Sequence, residues 1–223
     1  MTISEEICVC EGCKNLPGYE RLETKVKPYV AFRVESAWKP HNDIKVLFIA
    51  ESPPWDRNDA QPYFYNNRYP KKVGLRREVL KHLNLENLEN FKDEGYFLID
   101  AIKCRLNKNV KSNVPIVILE KCSLKFLSRE ITELKPKIIF VLGNSAKKAL
   151  QELHKLPDFS EFRELINFKV SNQFDKVLSG YRVILCVYPG GQTRKLEPYI
   201  KDCFSKIAMQ NARAARSRKS MGK

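Results

Sequence analysis

The sequence predicts a three-layer α/β/α fold built on a short parallel sheet of about four strands. Three observations predict it. Apolar runs rich in β-branched residues recur at Val46–Ala50, Tyr96–Ile99, Lys137–Leu142 and Tyr181–Val187, too continuous for strands with one wet face. Helical patterns separate them, the alternation expected of a crossover fold with helices on both faces. Each run then ends in turn chemistry: Glu51-Ser52-Pro53-Pro54, Asp100, Gly143-Asn144 and Tyr188-Pro189-Gly190-Gly191. In open α/β sheets the ligand crevice lies outside the strands' carboxyl ends, so these four turns are where chemistry is sought.

At 223 residues the chain is long enough for one domain with a real core. The expectation is a single domain over residues 1–210 and a mobile basic tail over 211–223, which holds five basic residues and no acid. No apolar run approaches the roughly 20 residues of a membrane span, and the acidic start Met1–Glu6 is not a signal peptide. An intracellular monomer (cytoplasm or nucleoid) with no membrane partner is expected. The formal charge is +14, from 40 basic and 26 acidic side chains. Such an excess points to a polyanionic partner, nucleic acid first, with a solubility surplus as the bland alternative. Seven cysteines in an intracellular chain argue for a metal site rather than disulfides.

Taken in order, Cys10 and Cys13 form a Cys-x-x-Cys with Cys8 just before it. Two thiolates at that spacing reach one metal from a tight turn, and two further ligands must come from elsewhere. From Leu16 to Asp43 periodicity is weak and prolines punctuate it, which reads as loop with at most a short strand. In the first strand-ending turn, Glu51 sits at the mouth of the predicted crevice. Pro53 and Pro54 fix an extended turn there, because neither can donate to a ladder. Tyr63, Phe64, Tyr65 and Tyr69 interleave with amides and Arg68, which suits a base-stacking surface or a loop pinned by its rings. Leu75, Val79, Leu80 and Leu83 mark a basic amphipathic helix from Gly74.

Beyond Asp100, Lys103-Cys104-Arg105 places a cysteine beside two cations. A helix then runs from Pro115 to Leu134, with Cys122 on the apolar stripe of Ile118, Leu119 and Phe126. Asn144 follows the third strand in a turn and helix cap. Residues 152–180 show no regular pattern. After the fourth strand, Gly190 and Gly191 let backbone amides approach a ligand, and Arg194 and Lys195 suit a phosphate. Leu196 to about Ala208 is the final helix.

These pieces together resemble the uracil-DNA glycosylase superfamily, most closely its iron–sulfur (family-four) branch. Ala50-Glu51-Ser52-Pro53-Pro54 is similar to that branch's Gly-Glu-Ala-Pro-Gly, and Asp100-Ala101-Ile102-Lys103-Cys104-Arg105 to its Asn-Val-Val-Lys-Cys-Arg. Leu142-Gly143-Asn144-Ser145-Ala146 is similar to its Leu-Gly-x-x-Ala. Cys10, Cys13, Cys104 and Cys122 match its cluster ligands in order and approximate spacing. The resemblance implies a uracil-DNA glycosylase-like fold and a structural [4Fe–4S] cluster on those four cysteines. A four-cysteine zinc site has the same ligand inventory, and Cys8 is a candidate to replace Cys10.

The activity implied is base excision repair on DNA, duplex or single-stranded. A damaged base is flipped into a pocket and its N-glycosidic bond is hydrolysed. By resemblance Glu51 is catalytic, Ser52, Tyr63, Phe64 and Asp100 bind the base, and Pro53, Pro54, Asn144, Tyr188, Gly190, Gly191, Gln192, Arg194 and Lys195 meet DNA. Three departures stand out: Tyr188 replaces the second motif's histidine, Gln192-Thr193 replaces its apolar wedge, and Asp100 replaces the amide that reads uracil. An ionised carboxylate only accepts hydrogen bonds, so it suits an exocyclic amine and disfavours uracil's O4. The other reading is a catalytically inactive iron–sulfur protein that binds nucleic acid on the same fold.

Overall fold

The computed structural model describes residues 2–24, 27–54, 63–66, 74–107, 114–171, 174–189 and 196–208. The chain opens with helix α1 (Ile3–Cys8), started by a capping box in which Thr2 Oγ1 accepts from the Glu5 amide and the Glu5 carboxylate from the Thr2 amide. A two-residue strand β1 (Leu22–Glu23) and a short helix α2 (Pro28–Ala31) follow. Then come β2 (Val46–Ala50), α3 (Gly74–Leu83), α4 (Leu88–Asp93) and β3 (Tyr96–Asp100). A second two-residue strand, β4 (Arg105–Leu106), pairs antiparallel with β1 and ties the N-terminal segment to the exit of β3.

Helix α5 (Ile116–Cys122) passes through a π turn at Ser123–Leu127 into α6 (Ser128–Leu134). Strand β5 (Ile138–Leu142), helix α7 (Asn144–Glu152), 3-10 turns spanning Leu153–Asn167, β6 (Phe174–Leu178), β7 (Tyr181–Cys186) and α8 (residues 197–208) complete the order.

Among the described residues the main sheet has five strands in the order β3-β2-β5-β7-β6. The first four are parallel and are the four runs read from the sequence. The fifth is a correction to the expected four. Residues 174–178 pair antiparallel with β7 through a two-residue hairpin at Ser179-Gly180, where φ is 50° and 81°. Positive φ at both central residues suits the right-handed twist of paired strands. Phe-Asp-Lys-Val-Leu buries only its two ends at the sheet margin, so it lacks strand alternation.

Every residue of β2, β3 and β5 is buried, as a sheet covered on both faces requires. Phe48 anchors one face, its ring centroid 5.2 to 6.1 Å from those of Phe140, Phe91, Tyr96 and Phe204. Helices α4 and α8 thereby close that side. Helix α7 packs on β2, α5 and the π turn on the other. At the β3 margin the Tyr65 hydroxyl donates to the Leu98 carbonyl (3.0 Å) and accepts from the Leu98 amide (2.8 Å).

Candidate active site and cysteine centre

The parallel strands end together, and their carboxyl ends bring distant residues to one edge. Ala50 pairs with Asp100 in register. The ladder runs on past both strands, with the Ala101 amide donating to the Ala50 carbonyl and the Ile102 amide to the Glu51 carbonyl, each at 2.9 Å. Glu51 and Ser52 are half-buried there, Pro53 is buried and Pro54 exposed.

Across the crevice the Gly143 amide donates to the Cys186 carbonyl at 2.8 Å, joining the β5 and β7 exits. Gly143 sits at φ 90° and ψ 173°, a region that glycine alone occupies readily. A Cβ there would also lie 3.3 Å from the Cβ of Tyr188. Glycine is therefore required twice over, by the turn and by the tyrosine laid against it. Asn144, the first residue of α7, is exposed.

Asp100 is only 5 % exposed. Burial pushes its carboxyl up to about 7; Lys103 and the Tyr63 hydroxyl oppose the rise, and Glu130 and Glu51 add to it. Acid and carboxylate forms thus coexist near neutral pH. The acceptor-only Asp100 assumed from the sequence holds for one of the two, because burial is a tertiary property. Its Oδ2 is buried without a hydrogen bond among the described residues, as are the hydroxyls of Ser52 and Tyr63. Tyr188 remains 44 % exposed but is ringed by protein mass. Desolvation, then Asp100 and Glu51, push its phenol up to about 12. It is a neutral hydrogen-bonding group at physiological pH, unlike a histidine in the same place.

The aromatic loop is pinned to the body. Tyr63, Phe64 and Tyr65 are 1 to 3 % exposed. The Phe64 ring packs 5.0 Å from Tyr65 and 5.4 Å from Phe91, in the core rather than on an open face. Tyr63 lies 5.2 Å from Phe32 and brings its hydroxyl beside Asp100. The Arg76 guanidinium holds the loop from α3 by donating to the Phe64 and Asn66 carbonyls at 3.2 and 3.1 Å.

Cys10, Cys13, Cys104 and Cys122 line one cavity, together with Lys27 and Lys103. A hydrogen bond between Cys13 and Cys122 draws the Cys13 thiol down and pushes Cys122 up; Cys104 and Cys10 bear on Cys13 as well. Lys27 donates to the Cys8 and Cys10 carbonyls (3.0 and 2.7 Å) and so fixes this turn. Lys125 points at the Cys10 sulfur from 3.7 Å. Cys8 is exposed and does not line the cavity. Among the described residues no three Cys, His, Asp or Glu side chains are gathered tightly enough to hold a metal ion. The donor chemistry nevertheless fits a metal centre: four thiols on one cavity, with lysines around them to balance thiolate charge. The π turn begins directly after Cys122, a placement common at functional positions. Cys186 and Cys203 are fully buried and pack as small core residues.

One pair escaped the sequence reading. Lys103 forms a buried ion pair with Glu130 of α6 and also donates to the Asp100 backbone carbonyl at 2.6 Å. The signal was present: Ile118, Cys122, Phe126 and Glu130 follow one another at four-residue steps, which puts an acid on an apolar stripe. Gly190, Gly191, Gln192, Arg194, Lys195 and the basic tail lie outside the described residues. No described helix is long and apolar enough to cross a membrane.

A search among curated proteins finds no match to this chain. Residues 39–210 do match the family described as the uracil DNA glycosylase superfamily. That stretch holds β2 to β7 and the whole carboxyl-edge crevice, so on sequence and on architecture alike the chain belongs to the uracil DNA glycosylase superfamily.

Proposed function

We propose that the protein is a DNA-repair glycosylase that flips a damaged, deaminated base out of DNA and hydrolyses its N-glycosidic bond. One observation carries the reading: two carboxyl side chains, Glu51 and Asp100, leave neighbouring strands at the crevice edge, close enough to influence each other. They have separable tasks. The transition state of glycosidic hydrolysis carries oxocarbenium character at the sugar. Glu51, nearer the opening, stabilises that charge or orients the attacking water. Asp100, at the buried end with Ser52 and Tyr63, reads the base. Pro53, Pro54, Asn144 and Tyr188 rim the crevice and meet DNA; residues 190–195 extend that contact. Phe64 supports the pocket wall from the core.

Cys10, Cys13, Cys104 and Cys122 hold a [4Fe–4S] cluster in this reading, with structural zinc as the alternative on the same thiols. Either group supplies a cross-link, joining the N-terminal turn to the β3 exit and to α5. A second reading, an inactive nucleic-acid-binding protein on this fold, is favoured by Tyr188, whose phenol does not exchange protons near neutrality.

The deciding experiment offers purified protein a panel of duplex and single-stranded oligonucleotides carrying different base lesions, scored for abasic sites. The glycosylase reading expects release from at least one lesion. It also expects Glu51→Gln to abolish release while DNA affinity stays close to that of the unaltered protein. No release from any substrate would leave the binding protein in its place.

A further inference from the structure

Asp100 is buried without a cation of its own. Its side chain is 95 % buried, 5 % being exposed, and Oδ2 has no hydrogen bond among the described residues. The nearby ammonium of Lys103 is committed to other acceptors. Lys103 donates to both Glu130 carboxylate oxygens at 2.7 and 2.6 Å and to the backbone carbonyl of Asp100, not to its carboxyl.

The ionisable groups that face Asp100 come from every element around it. They are Lys103 at the β3 exit, Glu130 on α6, Glu51 at the β2 exit, Tyr63 and Tyr65 on the aromatic loop, and Tyr188 at the β7 exit. Among these Lys103 is the cation, and Glu130 neutralises it. Burial without a dedicated counter-charge and with two acids at hand disfavours the carboxylate. The Tyr63 hydroxyl is buried beside it, and Ser52 Oγ, at the β2 exit, is buried without a hydrogen bond among the described residues. A buried carboxyl with a phenol beside it and no cation of its own, at the end of a crevice, points to a polar ligand edge that completes it.

We propose that Asp100 reads the flipped base as a proton-switched group. As the neutral acid it donates to a ring carbonyl and accepts from the adjoining ring N–H, so the pocket takes a lactam edge such as that of uracil or hypoxanthine. As the carboxylate it loses the donor, and preference passes to a base with an exocyclic amine. The amide that this position resembles performs both halves of the first task at any pH. The neutral acid reproduces them below its titration and surrenders one above it. This deepens the glycosylase reading and rests on it for the identity of the ligand, a base in DNA.

Binding rather than release is the test, so that the two ideas fail separately. Duplexes carry either 2′-fluoro-deoxyuridine or 2′-fluoro-deoxycytidine, whose glycosidic bonds resist cleavage, and affinities are measured across the window centred on pH about 7. The uracil-to-cytosine affinity ratio should fall with rising pH by about 5- to 150-fold, the value of one hydrogen bond in a buried site. In Asp100→Asn the ratio should stay level, at the uracil-favouring end. A level ratio in the unaltered protein, or the same fall in Asp100→Asn, overturns the proposal. A fall in the ratio without base release from any lesion removes the glycosylase reading and leaves this one standing; release with a level ratio does the reverse. If Asp100→Asn folds poorly, infrared spectra of the unaltered protein with labelled aspartate decide. A protonated-carboxyl band should shift on adding the uracil duplex and vanish as the pH rises through the window; no such band overturns the switch.

Discussion

Lys103 and Glu130 meet inside the protein, the ammonium 2.7 and 2.6 Å from the two carboxylate oxygens and both side chains 2 % exposed. Lys103 thereby links three parts of the molecule: the cysteine cavity that its stem lines, the β3 exit through the Asp100 carbonyl, and α6. The pair holds the segment that runs from Asp100 to Cys104.

Breaking that pair from one side should be severe. Glu130→Gln or Lys103→Met leaves the other partner buried without a counter-charge, which costs about 3–5 kcal/mol. Thermal or denaturant unfolding of each single variant measures it. The double variant Lys103→Met, Glu130→Leu should recover much of the loss, since apolar replacement of a buried pair is often neutral. A single-variant cost under about 1 kcal/mol would show the pair to be hydrated.

Asp100 makes stability fall with pH. Its folded-state value of about 7 exceeds the ordinary 3.8, so between the two the folded protein keeps a proton the unfolded chain has released. Stability therefore drops as pH rises through that interval and levels off above it. Asp100→Asn cannot ionise. Its stability relative to the unaltered protein should improve between about pH 4 and about pH 8, by up to about 4 kcal/mol. Parallel stability curves for the two proteins would contradict this.

Gly143→Ala combines a backbone penalty with a clash. At φ 90° the residue costs on the order of 1–3 kcal/mol, and the new methyl lies 3.3 Å from the Cβ of Tyr188. The expected result is a destabilised protein with weakened DNA binding. Unchanged unfolding would mean that the turn relaxes freely.

The four cavity cysteines should act as one unit. Anaerobically purified protein should be brown and contain iron and acid-labile sulfide. Cys10→Ser should lose both, whereas Cys8→Ser should keep them, because Cys8 is exposed and outside the cavity. Stoichiometric zinc without iron would replace the cluster with a zinc site.

The parallel sheet was legible because its four strands are unbroken apolar runs, and the crevice because each run stops at a chemically distinct turn. Strand β6 was hidden: a marginal strand that buries two of five side chains has no period to read. The aromatic loop showed its composition but not its direction; Phe64 faces the core because Arg76, ten residues beyond Asn66, draws the loop inward. Asp100 was legible as a position and not as a proton state. Its surroundings come from α6 and from the β2 and β7 exits, distant in sequence and brought together by crossovers. Cys122 was readable from its helical stripe; Glu130 lies on the same stripe, but its partner Lys103 is 27 residues away and comes to it only in the fold.

The Tyr65 hydroxyl, in engaging both the amide and the carbonyl of Leu98, behaves as a strand one residue long. It covers a pair of main-chain groups on the margin of the sheet, where a second copy of the chain would otherwise find a template for β-pairing. The same loop that supplies Tyr63 to the crevice thus guards the protein against self-association, and a change that loosens it would be felt first as clumping rather than as lost chemistry.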